Sequence, residues 1–198
     1  MSLYNAEISA GSLMLPESRR IAAFMLTGPD EAAWTKAYSL EGNLLQKNHP
    51  ATARRMGRLI RNRIEGGSDE MLHLIAEGDR ELAIQLLMAC AIRHSRILGD
   101  YLRDIYRGRL RRLETTLDPR DWDTFLHECA HRDPAVAAWS VSTRRKIFQV
   151  IIRMLAEAGY LKSTRGLVMT APHLHPVVIQ YLQGIGWQDT LAVMEMDP

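Results

Sequence analysis

The chain has 198 residues, of which 46% are hydrophobic and 24% are charged, and its formal net charge is +2. This composition is typical of an ordinary soluble globular protein and excludes the disordered and collagen-like classes. Since the net charge is close to zero, only the distribution of charge along the chain can argue for a nucleic-acid partner.

Membrane and secreted classes are also disfavoured. The most apolar segment, residues 82–92, has about half the length of a membrane-spanning helix, and no basic stretch followed by an apolar run begins the chain. Two cysteines far apart in sequence, Cys90 and Cys129, are typical of reduced, buried residues. We therefore expect a cytoplasmic protein without a membrane partner.

The N-terminal region begins with two predicted helices, one over residues 16–26 and one that Asp30 caps and that runs to about Ser39. A short helical piece over residues 40–46, a tight turn and a longer helix over residues 50–64 follow. A short helix, a tight turn and a longer basic helix are the layout of a helix-turn-helix, whose second helix enters the major groove of DNA.

The helix predicted over residues 50–64 is amphipathic. At about 100° per residue, Ala53, Met56, Ile60 and Ile64 share one side, and arginines gather on the opposite side. Two interpretations are open at this point, a solvated surface face and a binding site for an anion. The candidate anion-binding residues are Arg54, Arg55, Arg58, Arg61 and Arg63.

The central region predicts a long helix over residues 79–98 that is apolar over most of its circumference and therefore suits the centre of a bundle. Gly99 and Asp100 then mark the start of a new predicted helix, over residues 100–114, with a strongly basic outer face. A further helix follows Asp118 and ends before Pro134.

The C-terminal region repeats the layout of the N-terminal one. A short helix over residues 133–139 and a turn over residues 140–142 with a capping serine lead into a long amphipathic helix over residues 143–158. Arginine and glutamine one turn apart on its outer face are residue types that bind base edges in a major groove. The candidate DNA-binding residues here are Arg144, Arg145, Lys146, Gln149 and Arg153.

Residues 160–169 predict either a small β-hairpin or a plain connecting loop. As a hairpin, this segment would be a wing that contacts phosphates through Lys162 and Arg165. A last helix is predicted from Pro176, and residues 184–198 are predicted to form an acidic tail segment.

Basic charge is sorted into three blocks, over residues 47–63, 93–112 and 144–165, and most acidic residues lie between them. Arginine greatly outnumbers lysine, and its planar fork suits phosphate oxygens and guanine edges. A GC-rich genome produces the same bias, so the bias is weak support for a nucleic-acid binder.

One motif matches the sequence pattern of a catalytic site. His127, Glu128 and His131 form an H-E-x-x-H sequence on a predicted helix, where two histidines one turn apart can hold zinc and the glutamate can act as general base. The spelling also arises by chance, the helix ends soon after His131, and no third ligand stands out. A zinc peptidase is therefore a remote alternative, and we expect neither enzyme activity nor a metal or other cofactor.

The whole chain resembles the BrxA family, small core proteins of BREX (bacteriophage exclusion) systems. The resemblance extends from YNAEISAG at residues 4–11 and PESRR at residues 16–20 to LAEAGYL at residues 155–161. It implies an all-helical cytosolic protein with helix-turn-helix elements that binds double-stranded DNA, without a known catalytic activity, beside a methyltransferase and other BREX proteins. The family is also similar in fold to the antitermination protein NusB, which implies RNA binding as an alternative.

These observations predict an all-α helical bundle with two helix-turn-helix modules. One module lies in an N-terminal region over residues 1–68, and the other lies in a winged-helix-like region over residues 118–198. A central bundle over residues 69–117 joins them. The predicted function is non-enzymatic binding of double-stranded DNA by a monomer of a BREX phage-defence system, mainly through phosphate contacts. The main alternative is an RNA-binding or protein-bridging module of antitermination type.

Overall fold

The structure of the protein is a computed structural model that describes residues 2–196, and helices form most of it. The prediction of an all-α fold is therefore confirmed. The α-helices are, in order, α1 Leu15–Met25, α2 Glu31–Ala37, α3 Pro50–Ile64, α4 Asp69–Glu77, α5 Arg80–His94, α6 Arg96–Arg111, α7 Arg120–Arg132, α8 Val141–Glu157, α9 Pro176–Gly184 and α10 Gln188–Met194. The middle of α6, Tyr101–Tyr106, is π-helical, and 3₁₀ helices Glu7–Ala10 and Pro134–Ala138 precede α1 and α8.

Side-chain caps fix where several helices begin. The side chains of Asp30, Ser68, Asp79 and Ser140 each accept a hydrogen bond from a backbone N–H in the first turn of α2, α4, α5 and α8. The predicted cap at Asp30 is confirmed, whereas α8 begins two residues before the predicted start at residue 143, with Ser140 as its cap. Gly159, whose φ of 78° lies in the left-handed region, follows the end of α8 as predicted.

Helix α5 is the centre of the core. Every residue from Leu82 to Ile92 is buried, and α1, α3, α4, α9 and α10 all pack against it. Because a helix that is apolar around its circumference needs other helices on all sides, the prediction of a central bundle helix is confirmed. One hydrophobic cluster extends from Tyr4 to Met196 and includes side chains of every α-helix.

The prediction that this central helix continues to Leu98 is wrong, because the chain bends by 108° between α5 and α6. Ser95 is extended, with φ −127° and ψ 97°, and its carbonyl accepts the first hydrogen bonds of α6. Ile97 and Leu98 are buried beyond the bend, so apolar residues resume directly after the polar residues 93–96.

Residues 40–46 form turns and irregular backbone, so the short helix predicted before α3 is wrong. Asn43 and Gln46 have positive φ angles of 35° and 53°, which an α-helix does not allow. The Asn43 side chain accepts a hydrogen bond from the backbone N–H of Lys47 at 2.8 Å and stabilises the turn. The helix that precedes α3 is α2, which ends at Ala37.

The C-terminal residues do not form a tail. Helix α10 buries Leu191 and Met194 against α5 and α6, and Trp187 before it is also buried. The prediction of an acidic tail over residues 184–198 is therefore wrong as far as residue 196, because apolar side chains at i and i+3 in this segment face the core. The last two residues of that prediction lie outside the described part of the chain.

No single helix within residues 2–196 is both long and apolar enough to cross a membrane. Helices α5 and α6 reach the required length and composition only as a pair, across the 108° bend between them.

Candidate nucleic-acid interface

Helix α3 presents the first group of predicted site residues. Arg54, Arg55 and Arg58 are exposed, and none of the three has an internal hydrogen-bond or ion-pair partner within residues 2–196. The opposite side of the helix buries Ala53 and Ile60, which fixes the direction in which the arginines point. The amphipathic prediction is confirmed, and these three guanidinium groups are available to an anion from solvent.

Arg61, on the same helix, is held against an aromatic side chain. Its Cζ lies 4.8 Å from the centroid of the Trp34 ring, and its Nη1 donates to Oε1 of Glu31 at 3.0 Å. Trp34 is in turn stacked on Tyr38 and packed edge-on against Phe24. The stacking and the ion pair together orient the plane of the Arg61 guanidinium.

Arg63 does not lie on the exposed face with the others. Its side chain is buried, and its two terminal nitrogens donate to the carbonyls of Ser12 at 2.6 Å and Gly11 at 2.9 Å. Burial lowers the pKa of Arg63 to about 10, because the charged form loses hydration. In this structure Arg63 ties α3 to the N-terminal segment. Its sequence position, three residues after the inward Ile60, is the signal that separates it from the exposed arginines.

Helix α8 exposes the second group of predicted residues. Its inner face buries Ile147, Ile151 and Leu155, which are spaced one turn apart. Arg144 is half-buried, and its Nη2 donates to the carbonyl of Ala137 at 2.8 Å, which joins α8 to the preceding 3₁₀ helix. The outer face carries exposed side chains that have no hydrogen-bond or ion-pair partner in the described part of the chain: Arg145, Lys146, Gln149 and Arg153.

Residues 160–170 turn back on themselves after α8. Gly166, with a φ of 73°, lies in the turn, and the Lys162 and Arg165 side chains are exposed there. The segment is therefore a hairpin held by single bridges and not by regular strands. One isolated antiparallel bridge, between Leu161 and Met169, joins the two arms of the hairpin. A second isolated antiparallel bridge, between Val168 and Thr116, joins the hairpin to the segment between α6 and α7.

The N-terminal segment connects the two basic helices. The Ser12 hydroxyl donates to Oε1 of Glu157 at 2.8 Å, and the Leu13 N–H donates to Oε2 at 2.9 Å. Glu157 is the last residue of α8. Arg63, near the end of α3, donates hydrogen bonds to carbonyls of the same N-terminal segment. The 3₁₀ helix Glu7–Ala10 also packs against both α3 and α8. One segment thus fixes the positions of both basic helices.

Asp133 ties the start of the chain to the 3₁₀ helix before α8. Its Oδ2 accepts hydrogen bonds from the Ser2 hydroxyl at 2.7 Å and from the N–H groups of Leu3 at 2.7 Å and Tyr4 at 3.0 Å. Its Oδ1 accepts from the N–H of Ala135 at 3.0 Å. These bonds, led by that from Ser2, stabilise the carboxylate and lower the pKa of Asp133 to about 2.

The middle basic block, residues 93–112, is used largely inside the molecule. Asp100 is only 2% exposed, and the Arg132 side chain of α7 also lies 3.5 Å from it. The positive charge of this block is therefore mostly neutralised or packed. Its internal contacts are as follows: Arg93 stacks on Trp187, Arg96 and Arg103 pair with Asp100, Arg107 donates to the carbonyls of Ala192 and Glu195, Arg109 pairs with Glu114 and Asp121, and Arg112 pairs with Glu114.

The H-E-x-x-H motif lies on α7. The His127 and His131 rings are exposed with their centroids 4.6 Å apart, and Glu128 lies 3.9 Å from Arg132. No group of three or more His, Cys, Asp or Glu side chains that could hold a metal ion lies within the residues described, 2–196. The motif therefore gains no third ligand from the fold.

These features define an all-helical protein that displays exposed basic side chains on two helices, α3 and α8, and its N-terminal segment contacts both helices. A comparison with known families gives its relationship. A sequence model of the BrxA family matches residues 2–186. The chain therefore belongs to the BrxA family, and the resemblance seen in the sequence is confirmed.

Individual relatives agree with this assignment. The BREX protein BrxA of Paramagnetospirillum magneticum is 37% identical over 180 residues, which cover 91% of this chain and 90% of that protein. The BREX protein BrxA of Escherichia coli O9:H4 (strain HS) is 32% identical over 189 residues, which cover 96% of this chain and 88% of that protein. The crystal structure of an uncharacterized protein from Magnetospirillum magneticum is 32% identical, with a TM-score of 0.89 over 98% of this chain and 99% of that chain.

Proposed function

We propose that this protein binds double-stranded DNA, without chemistry of its own, as an accessory protein of a BREX phage-defence system. The observation that carries the proposal is the set of exposed basic side chains on α8 and the following hairpin, none of which has an internal partner within residues 2–196. Such charges can contact phosphates without first breaking an ion pair, and phosphate contacts supply most of the affinity of proteins for duplex DNA.

The order of elements around α8 supports this assignment. Helix α6, the segment at Thr116, α7, the 3₁₀ helix, α8 and the hairpin follow one another in the order of a winged helix. In that arrangement the long helix enters the major groove and the hairpin lies along the backbone. Arg145, Gln149 and Arg153 would then approach the groove, and the hairpin's basic side chains would contact phosphates.

Helix α3 supplies the second surface in this proposal. Arg54, Arg55 and Arg58 point outward from a helix that the N-terminal segment holds in a fixed position relative to α8. We propose phosphate contacts for these three residues, and Arg61 at their end would contribute through its exposed edge. The protein would act in the cytoplasm as a monomer, with other BREX proteins as partners.

The test is a titration of a fluorescently labelled random-sequence duplex, followed by anisotropy at several salt concentrations. The five basic side chains of α8 and the hairpin, together with the three exposed arginines of α3, predict a slope of about −7 in log K against log salt, at about 0.9 per neutralised phosphate. Absence of binding at low salt would contradict the proposal. Competition with single-stranded RNA distinguishes duplex binding from the antitermination alternative. If the alternative holds, RNA displaces the labelled duplex at a lower concentration than unlabelled duplex does.

A further inference from the structure

A cleft of about 400 Å³ lies between α2 and α3 and differs in character from the open face of α8. Trp34 and Tyr38 form its aromatic wall, and the polar residues of α3 form its rim. We infer that this cleft binds a nucleotide, with the phosphate at the arginines near the start of α3 and the base against Arg61. The inference goes beyond the proposed duplex binding, because the arginines of α3 would here hold a single nucleotide without α8 or the hairpin.

The Arg61 guanidinium is the stacking surface of this cleft. Its Cζ lies over the Trp34 ring, 4.8 Å from the ring centroid, and Nη1 forms an ion pair with Glu31 at 3.0 Å. The Arg61 side chain remains 31% exposed, and it lines the cleft. Nucleobases stack on guanidinium planes as they do on aromatic rings, so a base here would extend the order Trp34, Arg61, base.

The phosphate end of the cleft is formed by Arg54 and Arg58. Both line the cleft, both are exposed, and neither has an internal hydrogen-bond or ion-pair partner in the part of the chain that the structure describes. Arg58 precedes Arg61 by about one helical turn, roughly 5 Å along the axis, which is comparable with the distance from a base to its own phosphate. Arginine forks bind phosphate oxygens in a bidentate manner.

The other end of the cleft carries Asn62 and Glu65, both exposed. A carboxylate only accepts hydrogen bonds, so Glu65 would accept from an exocyclic amino group of a base. Cytosine, adenine and guanine carry such a group, whereas uracil and thymine do not. The cleft should therefore prefer cytidine 5′-monophosphate (CMP) to uridine 5′-monophosphate (UMP).

A close contact between Tyr38 and α3 positions this wall. Gly57, inside α3, faces the Tyr38 ring, and a Cβ at this position would overlap the ring atoms. The absence of a side chain at Gly57 therefore lets Tyr38 sit against α3, with 8% of its surface exposed. Burial raises the pKa of Tyr38 to about 12.

Saturation-transfer difference NMR of CMP with the full chain tests the inference. We expect saturable binding, and we expect Arg58→Gln to weaken it roughly tenfold through the loss of a charged hydrogen bond. The matched control is Arg111→Gln, an exposed arginine on α6 that does not line the cleft and has no internal partner in the described chain. Glu65→Gln should remove the preference for CMP over UMP. Thermal denaturation confirms that each variant is folded.

Three outcomes would overturn the inference: no saturation at millimolar CMP, equal losses in the Arg58 and Arg111 variants, or binding of inorganic phosphate as tight as that of CMP. A short single-stranded oligodeoxycytidine identifies the source of the nucleotide. If the oligonucleotide binds much more tightly than CMP and its binding also depends on Arg58, the natural ligand of the cleft is an unpaired nucleotide within a strand. If the oligonucleotide and CMP bind equally, the natural ligand is a free nucleotide. Duplex binding is measured separately, so either proposal can fail without the other.

Discussion

The arginine-rich residues 93–112 and the basic residues 144–165 have similar composition, but the structure uses their charges in opposite ways. Along α6, carboxylates and carbonyls accept hydrogen bonds from most of the arginines, and Asp100 is buried among several of them. Along α8, the one acidic residue, Glu157, is occupied by Ser12 and Leu13. Acids that are close in space therefore decide which basic block is available to a ligand.

The comparison also separates two kinds of energetic contribution. A paired, partly buried arginine contributes to the stability of the fold, because its removal leaves a carboxylate without its partner. An exposed arginine without an internal partner contributes little to stability and can contribute fully to binding. Substitutions in the two blocks should therefore change different measurements.

The largest expected effect is on DNA affinity. The triple variant Arg145→Gln, Arg153→Gln, Lys162→Gln should weaken duplex binding on the order of a hundredfold at about 0.1 M salt and reduce the salt slope by about three. The melting temperature should stay nearly unchanged, because these side chains have no internal partner within residues 2–196. Anisotropy and thermal denaturation measure the two quantities. An equal loss of affinity in Arg111→Gln would contradict the assignment.

The reverse pattern is expected for Arg109→Met. The Arg109 side chain is 13% exposed and pairs with Asp121 and Glu114, and the hydrogen bond to Asp121 raises its pKa. Its removal should lower the free energy of unfolding by about 2 kcal/mol, a value reduced from that of a fully buried pair because the carboxylates are partly solvated. Urea denaturation measures this loss. Duplex affinity should remain within about twofold of that of the unmodified protein. A large drop in affinity without a loss of stability would contradict the distinction between the two basic blocks.

A smaller effect is expected inside α3, which combines both kinds of arginine. Arg63→Met removes two hydrogen bonds to backbone carbonyls but also removes a charge whose burial is unfavourable, as its lowered pKa indicates. We expect a net loss of stability of about 1 kcal/mol. Arg58→Gln, five residues earlier and exposed, should leave the urea midpoint unchanged. Similar midpoints for the two variants would show that Arg63 has no role in stability.

The smallest effect is on the pH dependence of stability. The pKa of Asp133 falls from 3.8 to about 2 in the folded chain, so its contribution is complete above about pH 4. As the pH falls from about 4 towards 2, the unfolded chain takes up a proton that the folded chain does not, and stability decreases. In Asp133→Asn this part of the decrease should disappear. Urea midpoints measured from about pH 5 to about pH 3 compare the two proteins. Parallel curves would contradict the role of Asp133.

Local signals were sufficient for much of the fold. Proline at the first helical position and an amphipathic pattern predict α3 with the bounds that the structure has, Pro50–Ile64. The apolar circumference of α5 predicts its central place, and a turn with a capping serine predicts the start of α8 within two residues. These features depend on neighbouring residues, which sequence periodicity records.

Features that depend on distant contacts could not be predicted in this way. Ser95 gives no pattern signal for the 108° bend, because the polar residues 93–96 would equally suit an exposed turn of one continuous helix. The burial of Arg63 depends on carbonyls some fifty residues earlier, at Gly11 and Ser12. The candidate cleft likewise requires Trp34 and Arg61 to meet across two helices. Such long-range contacts depend on how the helices pack, and the periodicity of the sequence carries no information about that packing.

The N-terminal segment also constrains the order in which the protein can fold. Ser2 bonds with Asp133, 131 residues later, and Ser12 bonds with Glu157, 145 residues later. During synthesis those partners leave the ribosome long after the segment itself, and contacts so distant in sequence form slowly. Helices such as α3 can form early, but the segment waits until α8 exists. The fixed spacing of the two basic helices is therefore acquired among the last steps of folding.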